Sequence, residues 1–100
     1  MIKVSIKKEN GIINEITIKG HSDYEELGKD IVCAAVSSIS ITTVNALISI
    51  DEDCIDYTND DGFLKIIIKK HNEVIDKLID NMINLLSELE KDYKKNIEIR

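Results

Sequence analysis

At the N-terminus hydrophobic and polar residues alternate: Ile2, Val4 and Ile6 fall on one face, Lys3, Ser5 and Lys7 on the other. A period of two marks a half-buried strand, because successive strand side chains point to opposite faces. Asn10-Gly11 follows, a pair that tolerates positive φ and so suits a tight turn. Alternation resumes over residues 12–19 with Ile16 and Ile18 inward, which predicts a β-hairpin. From residue 31 to residue 50 the period changes. Val32, Ala35, Val36, Ile39, Thr43, Ala46, Leu47 and Ile50 recur at spacings of three and four without Gly or Pro. This predicts a helix about 30 Å long. Ala34, Ser38 and Ile41 on the opposite side make it apolar or small almost all round, which predicts near-complete burial.

Beyond an acidic connection at Asp51-Glu52-Asp53, a second hairpin is expected from Cys54–Thr58 and Phe63–Lys69 across Asn59-Asp60-Asp61-Gly62, with Leu64, Ile66 and Ile68 inward. Residues 73–93 form the clearest amphipathic helix, with Ile75, Leu78, Ile79, Met82, Leu86, Leu89 and Tyr93 in one stripe and Asn72 as N-cap. The alternating tail Asn96–Arg100 suits a short edge strand. The predicted class is α+β: two β-hairpins and two helices in the order ββαββα, a short C-terminal strand, and a single layer of sheet packed on helices. Residues 1–100 read as one domain without repeats or linkers.

Composition narrows the function. A net charge of −6 and a pI near 4.8 leave no basic face for phosphates, so a direct nucleic-acid binder is not expected. An acidic surface favours basic partners. No apolar run is read as reaching the ~18 residues of a membrane span, and the alternating N-terminus does not resemble an export signal. Cys33 and Cys54 stand 21 residues apart without CxxC or paired His spacing, and are expected to be thiols in a reducing, cytoplasmic compartment. Neither a metal nor a cofactor is called for. The acidic runs at 51–53 and 60–61 read as solvated turns.

The chemistry concentrates in residues 20–38. With Asp30 as N-cap of the central helix, Cys33 falls in the first helical turn. There unpaired backbone N–H groups and the helix dipole favour a thiolate, and the same N–H groups suit an oxyanion. Ala34 and Ala35 keep the nearby helix surface low enough for a peptide to approach. A thiol nucleophile needs a base within hydrogen-bond reach. His21, twelve residues earlier at the end of the second strand, is the better placed of two histidines, since His71 sits in a polar junction. Gly20 before it permits an unusual backbone angle and close approach. Asp30 is the nearest carboxylate to orient the imidazole, with Asp23, Glu25 and Glu26 behind it. Gly20 and Gly28 bracket the loop as hinges of a closing segment. The plainer readings are a Cys33 that packs as a small hydrophobe, an Asp30 that only caps, a His21 that is only a loop residue, and a structural Cys54.

Gly20-His21, then Gly28-Lys29-Asp30-Ile31-Val32-Cys33-Ala34-Ala35-Val36-Ser37, resembles the G-H-x(6)-G-x-D-I-V-C-A-A-V-S signature of the ribosomal-processing cysteine proteases, the Prp family. The similarity extends loosely over the whole chain. It implies a small homodimeric α+β protease with Cys33 and His21 as its catalytic pair, and an aspartate at Asp30. It also implies a substrate: the N-terminal extension of large-subunit ribosomal protein twenty-seven, removed during ribosome maturation. Two departures stand out. Ser22 occupies a position that is often Ala in the family, and the loop Asp23-Tyr24-Glu25-Glu26 is unusually acidic, which bears on substrate preference and on the His21 pKa. Two other classes of function remain open at this stage. One is a non-enzymatic ribosome-assembly or adaptor module in which Cys33 is structural. The other is a redox-sensing thiol, which lacks a resolving cysteine in the motif.

Overall fold

The computed structural model describes the backbone of residues 1–20 and 27–100, and the side chains of residues 1–20 and 31–100. β1 (Ile2–Glu9) and β2 (Ile12–Lys19) form the first hairpin, α1 spans Leu27–Ile50, and β3 (Ile55–Asp60) and β4 (Phe63–Ile68) form the second. α2 (Glu73–Asp92) and β5 (Ile97–Ile99) complete the chain. The expected ββαββα order and the short final strand are both present.

The five strands make one sheet in the order β3-β4-β2-β1-β5. All neighbours are antiparallel except β5, which runs parallel to β1 at the edge. Register follows the hydrophobic pattern. Val4 faces Ile18, which faces Leu64; Ile6 faces Ile16, which faces Ile66. These side chains form two apolar rows on one face, because residues directly opposite share a face. Asn10 and Gly11 take the left-handed φ values of 54° and 79° that the first turn needs. The turn of the second hairpin is shorter than its composition suggests. Asn59 and Asp60 still pair with Leu64 and Phe63, leaving only Asp61-Gly62 to turn, while Cys54 precedes the strand.

Both helices cover the apolar rows. Val32, Val36, Val44 and Leu47 of α1 and Ile75, Ile79, Met82 and Leu86 of α2 are buried in one core with Val4, Ile16, Ile18, Leu64 and Ile66. The amphipathic reading of α2 holds. Its N-cap is Asn72, whose Oδ1 accepts a hydrogen bond from the Ile75 N–H at 2.9 Å.

α1 departs from expectation in three ways. It begins at Leu27, earlier than Asp30 by more than the usual uncertainty of a helix end. It is not buried all round, since a single sheet can cover only one side of it; Ala34, Ser38, Thr42, Asn45 and Ser49 lie on an exposed stripe with Ile31, which is 53% exposed. Finally, Ile31–Ile50 is long and apolar enough to cross a membrane by length and composition, which corrects the reading of no such run. Its small Ser, Thr and Asn residues interrupt the apolar run without adding a charge. In this fold its apolar face is the core of the domain.

Candidate active site

Strand directions decide what can meet. β2 ends, the β3–β4 turn lies and β1 starts at one end of the sheet, because each hairpin reverses the chain; Val36, Ser37, Ser40 and Ile41 of α1 border that turn. Gly20 closes β2 there with φ of 86°. Its N–H donates to the Gly62 carbonyl at 2.8 Å. A Cβ at Gly20 would lie 2.9 Å from the Met1 carbonyl oxygen, so both the backbone angle and the close approach require glycine. Gly20 is thus an anchored point at the exit of β2.

Cys33 is the seventh residue of α1, not a first-turn residue. The unpaired amides of the first turn belong to residues 27–30, a full turn ahead. The dipole argument for a Cys33 thiolate weakens accordingly, since that effect fades beyond the first turn. Helical side chains lean towards the N-terminus, however, which carries Cys33 back towards that turn. The side chain keeps 9% exposure at the margin of the core, between buried Val32 and exposed Ala34.

Asp30 is the fourth residue of α1, inside the helix and three positions before Cys33, so it is not the N-cap. Positions three apart share a helix face. Its side chain lies outside the described residues. His21 and the carboxylates Asp23, Glu25 and Glu26 lie outside them as well. Gly28 is the second residue of α1 and belongs to the helix, so the glycine bracket of the loop extends into its first turn.

The remaining histidine and cysteine are elsewhere. His71 follows β4 at the opposite end of the sheet, where its Nδ1 is 2.8 Å from Asp76 Oδ1. Cys54 is fully buried and its Sγ donates to the Leu47 carbonyl at 3.5 Å. Burial, reinforced by the nearby Asp51 carboxylate, pushes the Cys54 thiol pKa up, the opposite of what a nucleophile needs. Sequence reasoning missed one feature of the site end. A cleft of about 440 Å³ lies between α1 and the β3–β4 turn, lined in part by Val36 and Ser37, one turn beyond Cys33 on its side of the helix. Asp60-Asp61 looked like a solvated turn because acidic turns usually are.

A family model for the cysteine protease Prp matches residues 1–98. The chain belongs to this family. Its membership makes it a cysteine peptidase. The ribosomal processing cysteine protease Prp of Staphylococcus aureus (strain Mu50) is 31% identical over 103 residues, covering 99% of this chain and 97% of the relative. Two crystal structures of S. aureus Prp share the fold. One, in complex with a substrate peptide, matches with a TM-score of 0.91 and 30% identity, covering 100% of this chain and 98% of the other. The second, with a covalently linked product peptide, gives 0.86 and 31% over the same shares.

Proposed function

We propose that this protein removes the N-terminal extension of large-subunit ribosomal protein twenty-seven, with Cys33 as nucleophile and His21 as its general base. The observation that carries the reading is that Cys33 lies one turn before Val36 and Ser37, which border the β3–β4 turn to which Gly20, the residue before His21, is hydrogen-bonded. A ribosomal-processing relative of S. aureus, solved with a covalently linked product peptide, supports a covalent step between enzyme and peptide. In the proposed reaction His21 takes the Cys33 proton and the thiolate attacks the scissile carbonyl. The tetrahedral intermediate collapses to a thioester, and the leaving amine departs with the proton that His21 hands on. Water, with His21 again as base, then hydrolyses the thioester and restores the thiol. Asp30, one turn before Cys33, is proposed to orient the imidazole.

A homodimer in the cytoplasm belongs to the same proposal. The uncharged stripe Ala34-Ser38-Thr42-Asn45 on α1 supports the dimer, since it offers a face without charges to desolvate. Sedimentation velocity on wild type and Ser38→Arg tests it; a wild-type monomer at micromolar concentration rejects it.

A second reading, an adaptor module in which Cys33 only packs, draws on the 9% exposure of Cys33. Mass spectrometry of a peptide spanning the extension and its junction separates the two. Cleavage at one bond by wild type, lost in Cys33→Ala and His21→Ala, is the expected result. Binding without cleavage by any of the three selects the adaptor.

A further inference from the structure

The cleft beside α1 has an apolar floor and an acidic rim. Ile18, Val36 and Leu64, all nearly fully buried, form the floor, and Asp60 and Asp61 stand at the β3–β4 turn. Among the described residues neither aspartate is in an ion pair. Ser40 also lines the cleft. It is 0% exposed, and its Oγ has no hydrogen-bond partner among the described residues. Its helical neighbours behave differently: Thr43 Oγ1 donates to the Ile39 carbonyl at 2.9 Å and Ser49 Oγ to that of Ala46 at 2.7 Å. A buried hydroxyl left without a partner is costly, and such a group calls for a physical explanation such as a water, an ion or a functional role.

We infer that this cleft is a subsite for a lysine or arginine side chain of the peptide substrate. The aliphatic stem of such a residue covers the floor while its cationic head meets Asp60 and Asp61, the arrangement long basic side chains adopt on mixed surfaces. The Ser40 hydroxyl, closed to solvent, adds an unsatisfied polar group beneath the floor. An aromatic or aliphatic side chain would fill the floor but leave the carboxylates unanswered. Position follows from the helix. Cys33 and Ser40 are seven residues apart, about 10 Å along the axis. An extended peptide advances about 3.3 Å per residue, so the basic residue lies about three positions from the scissile bond.

This inference rests on the protease reading, and its test keeps the two apart. Labelled nonapeptides spanning the junction of ribosomal protein twenty-seven carry Lys, Gln or Glu in turn at each of the positions two to four residues either side of the scissile bond. Their binding to Cys33→Ala is read by fluorescence anisotropy, and their cleavage by wild type is read in parallel. Lys is expected to bind roughly fivefold tighter than Gln about three residues out on one side only, the size of a partly exposed ion pair, with Glu weakest. In the Asp60→Asn/Asp61→Asn background this difference disappears, and in Asp60→Lys/Asp61→Lys the Glu peptide binds best. Equal binding of Lys, Gln and Glu peptides at every position overturns the subsite, as does a Lys preference that survives Asp60→Asn/Asp61→Asn. Charge-dependent binding without wild-type cleavage sinks the protease reading and leaves the subsite standing.

Discussion

The Gly20 N–H donates to the Gly62 carbonyl at 2.8 Å, and both residues sit at left-handed φ, 86° and 74°. The bond extends the β2–β4 ladder by one rung beyond the Lys19–Phe63 pair. It fixes the exit of β2 against the β3–β4 turn, and so joins the chain that leads to His21 to the rim of the acidic cleft.

Replacing Gly20 tests that junction. In Gly20→Ala the new Cβ meets the Met1 carbonyl oxygen at 2.9 Å, and a left-handed φ strains any residue with a side chain. Both penalties fall on backbone and not on the far end of a flexible side chain. The variant is expected to lose about 1–3 kcal/mol of stability, read from the urea midpoint at constant m. A midpoint equal to wild type would show that the junction yields freely.

The N-terminus of α2 offers a cleaner measurement, remote from the site. The Asn72 side chain satisfies the Ile75 N–H, and Glu73 and Asp76 in the first turn add favourable charge. Asn72→Ala is expected to cost about 1 kcal/mol, and Asn72→Asp to restore it. Thermal melts of the three proteins check this. An unchanged alanine variant would mean that water replaces the cap.

Asp51 and Lys70 tie the end of α1 to the end of β4, 3.0 Å apart. The Asp53 backbone N–H, then Lys70, hold the Asp51 carboxyl below its ordinary 3.8, while the Asp51 carboxylate raises Lys70 above 10.5. A depressed acid stabilises the fold above its unfolded pKa and loses that contribution as pH falls through the folded one. A raised base contributes below 10.5 and loses its share as pH rises through its folded value. The pair therefore steepens the loss of stability at both extremes, and its contribution is fully present and independent of pH between about pH 5 and 9. Asp51→Asn is expected to flatten both limbs, measured as Tm between pH 2 and 11. Identical limbs in the variant would assign them to other groups.

Much of this architecture is legible in the chain. Ile16, Ile18, Leu64 and Ile66 alternate cleanly because only one sheet face is covered, and the α2 stripe shows because its other face is wet. The start of α1 is not legible, because Leu27-Gly28-Lys29 carries no apolar period and Asp30 looks like a cap. Asn59 and Asp60 read as turn residues although the ladder runs through them, since edge strands tolerate polar side chains on both faces. Cys33 stands out through its motif alone; it is not in the stripe that periodicity marks, yet it is buried at the margin of the core. Ser40 carries no sequence signal, because a serine in a helix normally satisfies itself on the preceding turn.

The two cysteines give the sharpest contrast. Cys54 is fully buried, donates to Leu47 and has its thiol pKa raised by burial, so little thiolate forms at neutral pH. Cys33 lies at the margin of the core and near the start of α1. Brief iodoacetamide treatment of the folded protein is therefore expected to modify Cys33 and spare Cys54, and to abolish cleavage of the junction peptide in step with Cys33 labelling. Cys33→Ala is expected to lower cleavage roughly a thousandfold or more without lowering Tm. Cys54→Ala should retain cleavage while losing about 1–2 kcal/mol of stability, since its cost is packing and one weak hydrogen bond. Peptide mapping after partial alkylation decides the matter. If activity followed Cys54 labelling, or survived complete modification of Cys33, the nucleophile would have to be sought elsewhere in the chain.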